Sequence, residues 1–384
     1  MSPVVTLRIL LVRATFAIAR HLPRRHRVVL ATAHADTLGG NLAIIRDELA
    51  RRQPRIPVIV LAHRLGPGWR AKVGAAWQVV RAAYHLATAT VFIVDDYFFP
   101  IYVIAPRPGT TIVQTWHACG AFKKVGYSVF DKTFGADEEL TARVRIHSNY
   151  TVCLLASMSA APAYMDAFHQ PIERFRADLG IPRTDVLFGE ARIAATTAAV
   201  RRRYAIPDGK TVVLYAPTFR GEHGTSAHFA DDLDLRLLHE HLGDDHVILV
   251  RLHPFIRANA PLGPELGGFA IDVSDHPDIN ELLLISDILV TDYSSVIFEF
   301  SLLGRPMVFF APDYEAYERE RGFYFDYRTG VPGPIFETTA PLAAYLRAGA
   351  FDLPRVAAFR EASFEVADGH ATERFVHRIV IPAL

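Results

Sequence analysis

Short apolar segments that alternate with stretches of helical length are the feature that most constrains the fold of this chain. The first series lies at 27–33, 55–62, 90–95 and 111–116, and the second at 211–216, 246–251, 287–292 and 306–310. Continuous apolar character is typical of strands buried on both faces, and alternation with helices indicates parallel βαβ units rather than hairpins. The sequence therefore predicts an α/β fold.

The two series also divide the chain into two predicted domains. A chain of 384 residues is too long for one comfortable core and suits two domains of roughly 150–200 residues. A basic helix at 194–204 precedes the turn Pro207-Asp-Gly, after which the second series begins. We predict an N-terminal domain over 1–205 and a C-terminal domain over 206–384, both doubly wound, with a ligand cleft between them. In such sheets ligands bind outside the carboxyl ends of the strands.

Composition excludes several kinds of partner and cofactor. Lys and Arg total 41, as do Asp and Glu, so no net field recruits nucleic acid. The two cysteines, Cys119 and Cys153, supply neither a disulfide framework nor a cysteine-rich zinc site, and their number fits a reducing, cytosolic compartment. No Gly-x-Gly-x-x-Gly fingerprint follows the first strand, so nicotinamide and flavin chemistry are not expected. We expect neither a cofactor nor a metal.

The start of the chain is basic and apolar. Residues 1–35 contain six arginines and no acid, and the longest unbroken apolar run there, Ile9 to Val12, is far short of the ~20 residues that a membrane-spanning helix needs. Two interpretations remain open. A helix over 4–22 presents a basic amphipathic surface to anionic lipid, or it packs on the body of the domain with its arginines in solvent.

Polar side chains follow the ends of four predicted strands. They are His117; Thr218 and Arg220; Arg251 and His253; and Thr291, Asp292, Ser294 and Ser295. The guanidinium group makes bidentate contacts with phosphate oxygens and an imidazole can donate to one, so Arg220, Arg251 and His253 are candidate phosphate ligands. Polar groups at four strand ends together predict a ligand site.

Ser294 and Ser295 stand where the strand at 287–292 turns into a helix. Their hydroxyls, the free backbone N–H groups of the first turn and the helix dipole favour an anion, most naturally a phosphate or pyrophosphate. Glu299, one turn further along, is placed to reach a ribose diol. The alternative is simple N-capping by Asp292 or Ser294.

His117 differs in kind from the phosphate ligands. It follows an apolar strand of the first series and precedes a loop that contains Lys123 and Lys124, of which Lys123 is a candidate substrate ligand. Because an imidazole titrates near neutral pH, His117 is a candidate for taking a proton from an attacking hydroxyl. A structural or surface histidine is the alternative, and only the combination with the phosphate-compatible residues favours the catalytic interpretation.

With these residues in view, the chain resembles the CDP-glycerol glycerophosphotransferase family of teichoic-acid and capsule synthesis. The motifs that carry the resemblance follow one another in order. They are Thr115-Trp-His-Ala-Cys-Gly-Ala-Phe-Lys-Lys-Val-Gly126, Gly180-Ile-Pro-Arg-Thr-Asp185, Tyr215-Ala-Pro-Thr-Phe-Arg220, Arg251-Leu-His-Pro254, the segment from Asp278 through Ser295 to Pro306, and Arg321-Gly-Phe-Tyr-Phe-Asp326.

The resemblance implies a GT-B-type fold of two Rossmann-like domains, with the acceptor on the first and the CDP-linked donor on the second. It implies a metal-independent, inverting displacement on the β-phosphorus of the donor that releases CMP. His117 takes the position of the base, Arg251 and His253 those of donor-phosphate ligands, and Ser294 and Ser295 that of the pyrophosphate site. It further implies a lipid-linked saccharide or growing polyol-phosphate chain as acceptor, and peripheral attachment to the cytoplasmic face of the membrane.

One departure leaves the substrates open. After the Trp-His pair this chain has Ala118-Cys-Gly-Ala-Phe, with an extra residue before Lys123, where some polymerases of the family have Gly-Thr-Pro-Leu. CDP-glycerol is the expected donor and CDP-ribitol the alternative, and the chain either adds a first unit or polymerises. A UDP-sugar glycosyltransferase or epimerase on the same architecture, and a non-catalytic scaffold at the membrane surface, are the rival functions.

Overall fold

The computed structural model describes residues 3–64, 69–129, 141, 143–220, 233–252 and 262–384. The chain forms two compact units. Unit 1 comprises Met1–Asp185 together with Phe364–Leu384, and unit 2 comprises Val186–Ser363. Each unit contains a six-stranded sheet in which all neighbouring strands run parallel, so the predicted α/β class with two doubly wound domains is confirmed.

The sheet of unit 1 has the order β2-β1-β3-β4-β5-β6. Its strands are β1 (Arg25–Thr32), β2 (Val58–Ala62), β3 (Ala89–Val94), β4 (Thr111–Gln114), β5 (Val152–Leu154) and β6 (Phe175–Arg176). The chain leaves β1 in one direction to form β2 and returns to the other side of β1 to form β3. The β1–β3 boundary is therefore the topological switch point, where open α/β sheets bind ligands.

Helices cover this sheet. They are α1 (Pro3–Ala19), α2 (Gly40–Arg52), α3 (Trp69–Thr88), α4 (Phe99–Tyr102) and α5 (Ala161–Phe168). Helix α1 packs against α3 through an inner face that contains the buried residues Val12, Phe16 and Ala19. No helix in the described ranges combines the length and the hydropathy that a membrane-spanning segment needs.

The sheet of unit 2 has the order β12-β11-β10-β7-β8-β9. Its strands are β7 (Thr211–Ala216), β8 (His246–Val250), β9 (Ala270–Asp272), β10 (Ile288–Thr291), β11 (Met307–Phe310) and β12 (Ile335–Phe336). The chain winds from β7 through β8 to β9 on one side and from β10 through β11 to β12 on the other. The switch point of unit 2 is therefore the β7–β10 boundary.

Most helices of the second half of the chain surround this sheet. In chain order they are α6 (Glu190–Arg203), α7 (Leu235–Leu242), α8 (Ile279–Ile285), α9 (Val296–Ser301), α10 (Tyr314–Arg321), α11 (Tyr327–Gly330), α12 (Thr339–Ala348), α13 (Leu353–Ser363) and α14 (Ala371–Phe375). The last of them, α14, belongs to unit 1.

The boundaries of the units differ from the predicted division at residue 205. Helix α6 belongs to unit 2, where Arg203 donates to Asp275 at 3.1 Å and the Tyr204 hydroxyl donates to the same carboxylate at 2.9 Å. The C-terminal segment returns to unit 1 because the Asp185 carboxylate accepts hydrogen bonds from the backbone N–H groups of Ala371 and Thr372, at 2.9 and 2.8 Å. Tertiary hydrogen bonds determine which segment belongs to which unit. These bonds cannot be predicted from the order of strands along the chain.

Candidate active site

A cluster of two histidines and two aspartates lies at the switch point of unit 1. His34 follows β1, and its Nδ1 atom lies 3.0 Å from the Thr32 hydroxyl oxygen. The same Nδ1 atom lies 3.4 Å from Oδ2 of Asp96 and 3.9 Å from Oδ1 of Asp95, the two residues that follow β3. The site therefore begins where the fold predicts a ligand, at the carboxyl ends of β1 and β3.

His117 completes this cluster from the end of β4. Its Nδ1 atom lies 3.6 Å from Oδ2 of Asp96, so one carboxylate lies beside two imidazoles. The side chain of His117 is 48% exposed. Since Nδ1 faces Asp96, Nε2 is left to meet a substrate. We call His34, Asp95, Asp96 and His117 the imidazole–carboxylate cluster.

The surroundings of the cluster shift the pKa values of His117 and Asp95. Desolvation by neighbouring protein lowers the pKa of His117, the nearby Asp96 carboxylate opposes this effect, and the positive charge of Lys123 adds to it. Burial raises the pKa of Asp95 to about 6. His117 is therefore mainly neutral at neutral pH, which is the form that accepts a proton.

The backbone before His117 is held in an unusual conformation. Trp116 has a φ of 54°, in the left-handed region that a bulky residue adopts only under constraint. Three hydrogen bonds impose the constraint: the Asn41 amide donates to the carbonyls of Thr115 and Trp116, at 3.2 and 2.8 Å, and Trp116 N–H donates to Oε1 of Gln114 at 2.9 Å. This turn fixes the position from which the imidazole of His117 projects.

The Gly-x-Pro-Arg-x-Asp motif supports the same turn from a distant part of the chain. Arg183 donates its side chain to the carbonyl of His117, and its backbone N–H donates to Oδ1 of Asn41 at 2.8 Å. Gly180 has a φ of 73°, and a Cβ there would lie 2.9 Å from the carbonyl oxygen of Val366. The motif therefore positions the loop that carries His117 and the returning C-terminal segment.

The switch point of unit 2 is joined by two hydrogen bonds across β7 and β10. The Asp292 carboxylate accepts from the backbone N–H of Thr218 at 2.9 Å and from its hydroxyl at 3.0 Å. Arg220 donates to the same carboxylate at 2.9 Å and to Asp313 at 2.5 and 2.9 Å. The Tyr293 hydroxyl also donates to Asp313, at 2.9 Å.

This network contains three residues that were predicted to bind substrate. Asp292 is 2% exposed and the side chain of Arg220 is 11% exposed. Burial by itself lowers the pKa of Arg220, but the carboxylates of Asp292 and Asp313 together raise it above its usual value. The structure thus places Thr218, Arg220 and Asp292 in a supporting network that fixes the loops after β7 and β10.

Two further residues that were predicted to bind substrate are buried. Thr291 is fully buried, and its hydroxyl donates to the carbonyl of Ala216 on β7 at 2.7 Å. Glu299 lies within α9 and is 2% exposed. Thr291 was predicted to contact a phosphate, but its side chain instead bonds β10 to β7. Glu299 was predicted to contact a ribose diol, but its side chain lies on the buried face of α9.

Ser294 and Ser295 remain accessible, as the prediction requires. Both are half-buried, and Ser295 is the N-cap residue of α9. In the described part of the chain, the side chain of Ser295 makes no capping hydrogen bond, and that of Ser294 accepts only a long one from Val296 N–H, at 3.5 Å. Their hydroxyls are therefore available to a ligand at the β7–β10 switch point.

Arg251 follows β8, the neighbour of β7. It is 7% exposed, and it donates to the carbonyls of Leu252 and Ser274 at 3.1 and 2.8 Å. Within the described residues its buried Nε atom has no hydrogen-bond partner. Burial lowers the pKa of Arg251, and nearby acidic groups, among them Asp275, oppose this effect. A buried cation with a free donor fits the predicted binding of an anion. His253, the other predicted ligand after β8, lies outside the described residues.

The sequence analysis missed three members of the imidazole–carboxylate cluster. His34 follows the first predicted strand and Asp95 and Asp96 close the third, so the rule of polar residues at strand ends identifies all three. Within the first series, only the residue after the fourth strand was predicted to belong to the site. The adjacency of β1, β3 and β4, which joins these residues to His117, depends on strand order.

Comparison with known proteins agrees with the motifs. The sequence profile of the family described as CDP-Glycerol:Poly(glycerophosphate) glycerophosphotransferase matches residues 14–381. A teichoic acid ribitol-phosphate primase of Bacillus spizizenii is 37% identical over 356 residues, or 92% of this chain and 90% of the relative. A teichoic acid poly(glycerol phosphate) polymerase of Bacillus subtilis is 34% identical over 264 residues, or 67% of this chain and 34% of the relative. Among solved structures, a variant of the wall teichoic acid polymerase TagF soaked with CDPG has a TM-score of 0.76 at 26% identity and covers 95% of this chain and 93% of its own.

Proposed function

Because the chain belongs to the CDP-glycerol:poly(glycerophosphate) glycerophosphotransferase family, we propose that it transfers a polyol phosphate from a CDP-polyol to a hydroxyl group of a membrane-anchored acceptor. The observation that carries this proposal is the imidazole–carboxylate cluster at the switch point of unit 1, with a neutral and accessible His117. The products are an acceptor extended by one polyol phosphate, and CMP.

The proposed chemistry begins with His117. Its Nε2 atom takes the proton of the acceptor hydroxyl as the hydroxyl oxygen attacks the β-phosphorus of the donor. The bond from that phosphorus to the bridging oxygen breaks, and CMP leaves with the bridging oxygen. Asp96 stabilises the imidazolium that forms, because its carboxylate lies 3.6 Å from Nδ1. A base of this kind contributes about 10²–10⁴-fold to the rate.

We assign the donor diphosphate to unit 2. The accessible hydroxyls of Ser294 and Ser295 and the buried cation of Arg251 are the groups that suit an anion there. These hydrogen-bond donors are already in place before the reaction, so they stabilise the negative charge that develops on the leaving phosphate. The network of Thr218, Asp292 and Arg220 holds the loops that carry these donors. His253 stays a prediction in the role of a second phosphate ligand.

CDP-glycerol is the proposed donor, supported by the family description and by the TagF structure soaked with CDPG. CDP-ribitol is the second candidate, since the ribitol-phosphate primase aligns along 92% of this chain and the glycerol-phosphate polymerase along 67%. The two donors share the diphosphate and the cytidine, so the groups named above serve both.

We further propose that the protein is peripheral to the cytoplasmic face of the membrane. The apolar residues Leu7, Leu10 and Ile18 lie on one face of α1 and are 66%, 58% and 75% exposed. We call them the α1 stripe. Arg13 and Arg20 are exposed beside it, and the first 35 residues contain no acid. An apolar stripe flanked by arginines suits the surface of an anionic bilayer, where a lipid-linked acceptor is found.

The deciding experiment incubates the protein with CDP-glycerol, CDP-ribitol or a UDP-sugar and a synthetic lipid-linked disaccharide, and follows nucleotide release and product mass. We expect CMP release from a CDP-polyol, and a product heavier by one or more polyol phosphates. His117→Ala should lower the rate by about 10²–10⁴-fold. His26→Ala, at an exposed histidine of β1, is the matched control. Release of UDP in place of CMP, or less than a tenfold loss in a folded His117→Ala variant, contradicts the proposal.

A further inference from the structure

Unit 1 contains an apolar cavity that the proposed reaction has not used. It has a volume of about 70 Å³, opens to solvent, and lies beyond the carboxyl ends of β1 and β2, beside α1, α3 and α4. Aliphatic and aromatic side chains form most of its wall, among them Leu61, Val79, Phe98 and Phe99. Walls of this kind favour an apolar ligand.

Arg8 and His63 line the same cavity. Arg8 lies over the ring of Phe99, with its Cζ atom 4.9 Å from the ring centroid. In the described ranges no carboxylate lies within ion-pair distance of Arg8, and burial lowers its pKa. The buried Nε2 atom of His63 also has no hydrogen-bond partner among the described residues. A desolvated cation without a carboxylate is stabilised by an anion in the cavity.

The cavity lies beside the imidazole–carboxylate cluster. Its wall includes Thr32, whose hydroxyl lies 3.0 Å from Nδ1 of His34. It also includes Arg8 of α1, the residue that follows Leu7 of the α1 stripe in the sequence. A ligand in the cavity therefore lies next to the residues of the proposed base and contacts the helix that carries the α1 stripe.

We propose that this cavity binds the lipid phosphate of the acceptor, with the phosphate on Arg8 and the first apolar segment of the lipid chain against the aromatic and aliphatic wall. The inference rests on the proposed function for the identity of the acceptor. A free phosphate leaves the apolar wall in contact with water, and an uncharged lipid leaves Arg8 without an anion. An apolar chain that carries a phosphate covers the apolar wall and also supplies an anion to Arg8.

The test measures binding to the full-length protein by calorimetry, with farnesyl phosphate as the probe. Farnesol lacks the charge, inorganic phosphate lacks the chain, and dihexanoyl-phosphatidylglycerol represents an ordinary anionic phospholipid. We expect farnesyl phosphate to bind at least tenfold more tightly than each of the three. Arg8→Gln should weaken its binding by about tenfold to a hundredfold, since a hydrogen bond to a charged group is lost.

Arg55→Gln is the matched control, because it removes the same charge from an exposed position that lies outside α1 and does not line this cavity. We expect it to bind farnesyl phosphate as the wild type does. A second variant, Ala75→Trp, fills the cavity from α3 and should abolish farnesyl phosphate binding while CDP-glycerol still binds. If Arg8→Gln does not fold, Ala75→Trp still tests whether the cavity binds farnesyl phosphate.

Equal binding of the phospholipid, no effect of Arg8→Gln, or an equal loss in Arg55→Gln overturns the inference. Because calorimetry needs no turnover, the outcome is separate from that of the proposed function. Farnesyl phosphate binding without CMP release contradicts the transferase and leaves the lipid phosphate cavity in place. CMP release without farnesyl phosphate binding contradicts the cavity alone.

Discussion

Oδ2 of Asp96 lies 3.6 Å from Nδ1 of His117, so the carboxylate that ends β3 sets the orientation and the charge of the imidazole that follows β4. The same oxygen lies 3.4 Å from Nδ1 of His34. Protonation of His117 is therefore stabilised by Asp96, and a change in this carboxylate changes the basicity of His117.

Asp96→Asn should lower the transfer rate and shift its pH profile. The negative charge of Asp96 raises the pKa of His117, against the stronger effect of desolvation. Without that charge the pKa of His117 falls further, so the acid limb of kcat/KM moves to lower pH. The plateau rate should fall by about tenfold or more, because a weaker base accepts the proton less readily.

The measurement is a kcat/KM profile of CMP release between pH 4.5 and 8.5. Asp47→Asn, at an exposed aspartate of α2 that pairs with Arg46, provides the control and should reproduce the wild-type profile. An acid limb that stays in place, or moves to higher pH, rules out the assigned interaction between Asp96 and His117.

Asp95→Asn should stabilise the protein, and increasingly so as the pH rises. Burial raises the pKa of Asp95 to about 6 in the folded chain, above its value of about 3.9 in an unfolded one. The folded wild type therefore carries a destabilising contribution that is absent below pH 4 and fully present above pH 6. We expect the free energy of unfolding of the variant to exceed that of the wild type by the order of 1–3 kcal/mol at pH 7.5.

Urea denaturation at pH 4.5 and at pH 7.5 measures this difference. The two proteins should be similar in stability at the lower pH and diverge at the higher one. A gap that is as large at pH 4.5 as at pH 7.5 contradicts the raised pKa of Asp95.

Much of the architecture is readable in the sequence because the central strands are buried on both faces. The apolar runs at 90–95 and 211–216 correspond closely to β3 and β7. The strands β5, β6, β9 and β12 were not predicted. Each is only two or three residues long. A strand this short shows no apolar pattern that distinguishes it from a loop.

The site was predictable in its residue types and less so in the role of each residue. His117 and the serine pair after β10 are accessible, as the sequence predicts. Asp292 and Thr291 belong to the same motif, yet cross-strand hydrogen bonds to Thr218 and Ala216 bury them. A polar residue after a strand contacts either a ligand or the neighbouring strand, and only the tertiary structure distinguishes the two.

Asn41→Ala should impair catalysis through the loop that carries His117. The Asn41 amide donates to two backbone carbonyls and accepts from Arg183 N–H at 2.8 Å, so its loss leaves three buried backbone groups without partners. We expect a loss of about 1–3 kcal/mol in the free energy of unfolding and a lower kcat, since Trp116 is no longer held in its left-handed conformation. Asn41→Asp keeps an acceptor for Arg183 but places a buried carboxylate against the carbonyls of Thr115 and Trp116, so it should not recover the stability. Unchanged kcat in a destabilised Asn41→Ala variant shows that the turn does not position the base.

The switch point of unit 2 allows a direct contrast between a supporting and a ligand-binding residue. Asp292→Asn disrupts a buried ion pair with Arg220 and should destabilise the protein by about 3 kcal/mol or more. Ser295→Ala removes a hydroxyl that makes no capping hydrogen bond in the described structure, so its stability should change by less than about 0.5 kcal/mol. The loss of one hydrogen bond to the donor should instead raise the KM for the CDP-polyol by about threefold to tenfold. Thermal unfolding and initial rates with varied donor separate the two effects. If Ser295→Ala unfolds early and keeps its KM, the hydroxyl supports the helix and the donor phosphate lies elsewhere.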